Sequence, residues 1–269
     1  MAGSELINER QLREDIVRVG RLCWEKGWVA SNDGNISIRL GPDRFLCTPT
    51  GLSKGMMTVD DMIIVDGTGT KVEGKRERTS EINMHLEVYR LRPDVQGVVH
   101  CHPPVSTGFA AAGRSLSQAV LPEVIVALGC VPLAQYGLPG TEELIAPMKP
   151  LIPRYDAILL GNHGVTCYGA DVWKAYFLVE TVEHSARIML VAEMLGGANV
   201  LPRDEVQKLI EARGRYGFAT RNEGAPGCPV AAEDVPPVGS SGSPERFYVT
   251  RDELVALVDE ALRHQKGRS

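Results

Sequence analysis

Apolar residues recur at three- and four-residue spacing in Leu12, Ile16, Val19, Leu22 and Cys23, which predicts an amphipathic helix from Ile7 to Lys26 with Gly27 as its stop. The period then changes to two. Ile36 and Ile38 alternate with polar residues after the turn Ser31-Asn32-Asp33-Gly34-Asn35, which predicts a strand, and Phe45-Leu46-Cys47 predicts a second one running into Thr48-Pro49-Thr50-Gly51. Met62 to Val65 reads as a strand entering a glycine-rich hairpin turn at residues 66–69. Arg78-Thr79-Ser80-Glu81 opens a helix with Thr79 or Ser80 as N-cap, and Met84, Leu86, Val88, Tyr89 and Leu91 give it a buried side. Val98 and Val99 lie in a short buried strand that Pro103-Pro104 ends, and Asp156 to Leu160 forms another apolar strand. A long helix is expected over Asp171 to Leu195, closed by Gly196-Gly197, and a further one over Asp204–Arg213. Residues 222–245 are rich in Gly, Pro, Ser and Ala without periodicity and read as a linker. Beyond it Leu254, Val255, Leu257, Val258, Ala261 and Leu262 give residues 246–269 the pattern of a short amphipathic helix.

Composition adds little to this picture but excludes several classes. With 269 residues and 43% apolar content, the chain supports one large domain over residues 1–221 plus the appendage. A net charge of −5 argues against a nucleic-acid surface, while leaving room for an anionic substrate held by neutral donors. Cys23, Cys47, Cys101, Cys130, Cys167 and Cys228 are scattered without a Cys-x-x-Cys pair, so reduced thiols and a cytoplasmic setting are expected. The stretch from Ser4 to Arg21 is too charged for a secretory signal, and no apolar run approaches the roughly 20 residues of a membrane span.

The candidate chemistry centres on Gly97-Val98-Val99-His100-Cys101-His102-Pro103-Pro104. Side chains two apart on a strand share a face, so His100 and His102 point together and Cys101 points away. Asn162-His163-Gly164 carries a third imidazole out of an apolar strand into a glycine-flanked bend. The three histidines supply a nitrogen ligand set with an open position for substrate, and Glu81 stands at a helix start as a carboxylate. Thr50-Gly51-Leu52-Ser53-Lys54-Gly55 lacks the spacing of a nucleotide P-loop. The backbone N–H of Gly51 beside the hydroxyl of Thr50 remains as a pair of neutral donors suited to one phosphate. Asn35 lies where a side-chain amide meets a ligand, or in a plain turn. Thr79-Ser80-Glu81 reads either as a helix cap or as an anion site. His85 and His184 read as packing or hydrogen-bonding residues.

Gly34-Asn35, Thr48-Pro49-Thr50-Gly51, Thr79-Ser80-Glu81, His100-Cys101-His102-Pro103 and Asn162-His163-Gly164, in that order, resemble the zinc-dependent class II aldolase/adducin family, and within it the L-fuculose-phosphate aldolase type. The resemblance covers about residues 8–220. It implies an α/β fold, a three-layer α/β/α sandwich with a central, largely antiparallel sheet, assembled as a homotetramer with active sites at subunit interfaces. It implies Zn2+ on His100, His102 and His163, with Glu81 as the acid/base group. Phosphate recognition falls to Asn35, Thr50, Gly51, Thr79 and Ser80. The implied reaction cleaves a ketose 1-phosphate to dihydroxyacetone phosphate and a short aldehyde such as lactaldehyde, with zinc polarising the carbonyl and stabilising the enediolate charge. Arg215-Tyr216-Gly217 resembles a stretch whose tyrosine closes over the site, so Tyr216 is the candidate acid at the aldehyde end; the competing reading is a tyrosine at the end of the preceding helix. Near Leu121-Pro122-Glu123 the chain departs from the fuculose type by carrying Glu123 in place of a tyrosine, which leaves the aldehyde open.

Residues 246–269 resemble encapsulation peptides that carry enzymes into bacterial microcompartments through shell proteins, as in fucose- and rhamnose-degrading systems; a helix docking on its own protein is the other reading. Two alternatives to the aldolase stand. One is a sugar-phosphate 4-epimerase or methylthioribulose-phosphate dehydratase on the same scaffold, the epimerases carrying aspartate where Glu81 stands. The other is a non-catalytic adducin-like assembly protein, which would be free to lose the histidines. Manganese or cobalt could take the same ligands as zinc.

Overall fold

The β-branched and alternating segments of the chain join into one sheet in a computed structural model that describes residues 8–217 and Cys228. Its eight strands are β1 Asn35–Gly41, β2 Arg44–Cys47, β3 Ile63–Val65, β4 Lys71–Glu73, β5 Gly97–Cys101, β6 Leu133–Ala134, β7 Ala157–Leu160 and β8 Gly164–Gly169, in the order β4-β3-β2-β1-β5-β8-β7-β6. Every neighbouring pair is antiparallel except β6 and β7. The helices are α1 Glu9–Glu25, α2 Ile82–Leu91, α3 Pro104–Ala111, α4 Pro122–Ala127, α5 Glu142–Ile145, α6 Val172–Met194 and α7 Arg203–Ala212.

Strand alternation divides the apolar residues between two cores. Ile36, Ile38, Val99, Cys101, Val165 and Cys167 point to one face, where Ile16 and Val19 of α1, Phe109 of α3 and Tyr176, Val179 and Val182 of α6 cover them. Ile63, Val65, Val98, Ile158, Leu160 and Tyr168 point to the other, against Ile82, Val88 and Tyr89 of α2 and Leu144 and Ile145 of α5. The result is the expected three-layer α/β/α arrangement around a largely antiparallel sheet.

The sheet and α6 meet closely at Gly97, where a Cβ would collide with the backbone of Asp171 and Val172. Neither backbone can swing away as a side-chain tip could. Gly97→Ala is therefore expected to destabilise the protein by about 1–3 kcal/mol, seen as a lower chemical-denaturation midpoint; an unchanged midpoint would refute this account of the crossing.

Several local expectations change. Glu81 itself is the N-cap of α2, one residue later than Ser80, and its backbone N–H reaches Thr79 Oγ1 at 3.4 Å. Pro103-Pro104 ends the strand and also begins α3, because proline at the first helical position forfeits no needed hydrogen bond. The N–H groups of Val105 and Ser106, which lack an intrahelical acceptor in this first turn, are taken by the buried carboxylate of Glu183 from α6, at 3.3 and 2.9 Å. The thiol expectation is corrected as well: Cys130 and Cys228 form a disulfide, while Cys23, Cys47, Cys101 and Cys167 are free and buried. The pair is 98 residues apart in sequence, a separation that carries no spacing signal. The chain divides into residues 1–234 and 235–269. Apart from Cys228, the expected linker over 222–245 and the helix over 246–269 lie outside the described residues. No helix among the described residues is long and apolar enough to cross a membrane.

Candidate active site

His100 is fixed by the sheet itself. It stands opposite Asn35 of β1 on one side and Thr166 of β8 on the other, on the face that α2 covers. His102 follows directly after β5, its backbone N–H bonded to the carbonyl of Trp28 at 2.8 Å. His163 occupies the turn between β7 and β8, after Asn162 in the left-handed region at φ 53°, a conformation that asparagine tolerates better than most residues. Gly164 next to it must lack a side chain, because a Cβ there would strike the His102 ring and the Cys101 carbonyl.

The three rings converge, with centroids 4.9 Å apart for His100 and His102, 4.7 Å for His100 and His163 and 5.1 Å for His102 and His163. One ring nitrogen from each lies within 4.8 Å of the others. His100 Nδ1 lies 3.0 Å from the Val165 carbonyl and donates to it, which leaves Nε2 with its lone pair. That nitrogen faces His102 Nε2 at 3.1 Å, while His102 Nδ1 lies 3.5 Å from the Asp33 carboxylate. A tetrahedral zinc, with Zn–N near 2.0–2.1 Å, would hold two such nitrogens about 3.3 Å apart. Burial pushes the His100 and His163 imidazoles below their ordinary range, although Glu81 opposes the effect at His163, so the neutral form that ligates metal prevails. His163 Nδ1 is buried without a hydrogen-bond partner. The donor set, its tautomers and its spacing fit a divalent metal ion.

Glu81, only 8% exposed, stands beside this cluster. Its Oε1 lies 3.2 Å from His163 Nε2 and its Oε2 3.6 Å from His100 Nε2. Oε2 also accepts a hydrogen bond from Asn35 Nδ2 at 2.8 Å, which ties the turn residue to the helix start. Thr50 and Gly51 come alongside Thr79 and Ser80 because the Thr50 N–H donates to the Glu77 carbonyl at 3.0 Å and Pro49 forms a β-bridge with Arg78. Thr50, Gly51 and Ser80 are exposed and Thr79 is buried, so the neutral donors border the Glu81 end of α2.

Not every expected residue joins the cluster. Tyr216 ends a 3₁₀ turn, Arg213–Tyr216, that follows α7; it is 68% exposed and makes no hydrogen bond to the histidines among the described residues. Glu123 is exposed in the first turn of α4 and lines a separate pocket with Lys26, Trp28, Glu180, His184 and Arg187. His184 is exposed and His85 fully buried, in line with their non-ligand reading. Sequence reasoning passed over Asp33 behind His102, the Val165 carbonyl behind His100, and Ser37 and Tyr89 near His85. The turn 31–35 holds Asp33 next to Asn35, and the two-residue step from Asn35 to Ser37 was the available signal for a polar strand face.

Comparison with known proteins gives this geometry a family. The chain is 34% identical over 181 residues to an L-fuculose phosphate aldolase of Methanococcus maripaludis, an alignment covering 67% of this chain and 97% of the relative. It is 32% identical over 207 residues to the 5-deoxy-D-ribulose 1-phosphate aldolase of Bacillus thuringiensis, covering 76% of this chain and 96% of that one. The crystal structure of YgbL from Klebsiella pneumoniae, described only broadly as an aldolase/epimerase/decarboxylase, superimposes with a TM-score of 0.70 at 30% identity, over 76% of this chain and all of that one. Residues 14–190 match the model of the class II aldolase and adducin N-terminal domain, and the chain belongs to that family.

Proposed function

We propose that the chain is a zinc-dependent aldolase that cleaves a ketose 1-phosphate of the L-fuculose 1-phosphate kind to dihydroxyacetone phosphate and a short aldehyde such as lactaldehyde. The observation that carries this reading is Glu81: a carboxylate placed within 3.2–3.6 Å of two of three converging imidazoles, yet held on its other side by Asn35. A carboxylate so placed can move a proton at the carbon next to a carbonyl.

His100, His102 and His163 would hold the metal, which polarises the C2 carbonyl as a Lewis acid and stabilises developing negative charge. Cleavage removes the C4 hydroxyl proton, breaks the C3–C4 bond and leaves the electron pair on the three-carbon fragment as an enediolate. Glu81, having taken up a proton equivalent to the one lost from the C4 hydroxyl, then delivers it to C3 and ends as the carboxylate, or removes it in the condensation direction. Thr50, Gly51, Thr79 and Ser80, with the remaining N–H of Asn35, orient the phosphate through neutral donors. Tyr216 is assigned to the aldehyde end, where it would protonate or deprotonate the C4 oxygen. Its exposure in the single chain fits a residue that works in a homotetramer with interface sites, in the cytoplasm, with residues 246–269 as the segment that would address the enzyme to a microcompartment shell.

Dihydroxyacetone phosphate release from L-fuculose, L-rhamnulose, 5-deoxyribulose and 5-methylthioribulose 1-phosphates by zinc-loaded protein tests this reading. Release that chelation abolishes is expected from at least one substrate, which then names the aldehyde. No release from any of them, with zinc bound, would overturn the aldolase in favour of epimerisation, dehydration or decarboxylation on the same scaffold.

A further inference from the structure

Behind Asn35 and Glu81 the protein buries a line of polar groups that neither metal nor phosphate binding requires. β1 turns Asn35 and Ser37 toward α2, and α2 answers with Glu81, His85 and Tyr89 at four-residue steps along one side. The two periodicities mesh. Glu81 Oε2 meets Asn35 Nδ2 at 2.8 Å, Asn35 Oδ1 meets His85 Nε2 at 2.6 Å, His85 Nδ1 meets Ser37 Oγ at 2.7 Å, and Ser37 Oγ meets Tyr89 Oη at 2.9 Å. All five residues are less than one-tenth exposed, so water does not compete for these groups.

The direction of each bond follows from its ends. Asn35 Nδ2 donates to the Glu81 carboxyl group, so the amide turns its carbonyl to His85. That carbonyl can only accept, so His85 carries its proton on Nε2. Burial pushes the imidazole down to about 3, so it is neutral and its Nδ1 is an acceptor. Ser37 therefore donates to Nδ1, and Tyr89 donates to Ser37. The opposite polarity would leave the Tyr89 proton stranded, since Ser37 is the only hydrogen-bond partner of its hydroxyl among the described residues.

We propose that Tyr89, Ser37 and His85 form a one-way donor chain that locks the Asn35 amide with its NH2 on Glu81, which makes all three positioning residues for the acid/base carboxylate. The proposal rests on the role given to Glu81 above. Its content is a fixed polarity: the hydroxyl at the far end of the chain sets which way an amide in the active site faces.

Two measurements on the full-length protein test it. In 15N-detected NMR of histidine-labelled protein, His85 is expected as the pure Nε2–H tautomer in the wild type and in Glu81→Gln, where only the Tyr89 end still fixes the polarity, and as a tautomer mixture once Tyr89→Phe, which removes one oxygen and preserves the ring, is added to Glu81→Gln. Pairing His85→Leu with His85→Gln reads the consequence: leucine lowers kcat by about 10- to 100-fold, the usual scale for losing an outer hydrogen-bond partner, with KM nearly unchanged, whereas glutamine, which regains an N–H for the Asn35 carbonyl, restores most of kcat. An Nδ1–H tautomer in the wild type, or a double-variant spectrum identical to that of Glu81→Gln, overturns the chain whatever the reaction turns out to be. Equal kcat losses for leucine and glutamine overturn the positioning role. If the tautomer is as stated but no aldol cleavage exists, the function fails and the polarity stands.

Discussion

Glu81→Gln is expected to lower kcat for aldol cleavage by about 10²- to 10⁴-fold, the range that a positioned acid/base group contributes, while zinc content and melting temperature stay at wild-type values. The substitution is isosteric and keeps an oxygen to accept from Asn35, so the contact at 2.8 Å survives. Only the capacity to carry a proton to and from C3 is lost. Single-turnover release of dihydroxyacetone phosphate, read alongside metal analysis of the same sample, separates the outcomes. Near-wild-type turnover would move the proton transfer to another residue, and loss of zinc would make Glu81 a ligand.

His163→Ala should have an effect of similar size by a different route. The turn that carries His163 is bounded by the paired residues Leu160 and Gly164, so the hairpin keeps its ladder when the ring is removed. Two imidazoles then remain of a set that structural and catalytic zinc sites build from at least three protein ligands. Zinc should be lost on dialysis, with cleavage activity falling to background. The wild-type protein should gain about 2.7 kcal/mol of stability at a zinc concentration 100 times its dissociation constant, a gain absent in the variant. Thermal melts with and without zinc measure this directly; a variant that still gains stability from zinc and still turns over would show that His163 lies outside the metal site.

Much of the site was legible because its residues are tied to strong backbone signals. His100 and His102 needed only the period of a strand, and His163 only an apolar run ending at a glycine. The same periodicities yielded α1, α6 and α7 within about a residue or two at each end. The segments that escaped were short or set by distant partners. α3 begins at a proline pair that reads as a stop, and its N-terminus is capped by Glu183 from a helix far along the chain. α4 and α5 span six and four residues, too few to display a helical period. The Cys130–Cys228 bond joins segments that no local pattern relates. Among the polar residues, the exposed loop donors were recognisable from turn chemistry. Tyr89 reads as one of the buried residues of its helix and Ser37 as a polar residue between Ile36 and Ile38; only the packing of β1 against α2 makes them partners.

The register between β5 and β8, with His100 opposite Thr166 and Cys101 opposite Val165, also bears on how the protein moves. These residues belong to the interior of the sheet, with strands on both sides and apolar cores above and below. Backbone amides in such a place exchange with solvent only when the whole domain opens. The histidine cluster, anchored there by His100, is therefore part of the most slowly fluctuating unit of the fold. The freedom to move beside the cluster is left to its exposed rim, around Thr50, Gly51 and Ser80.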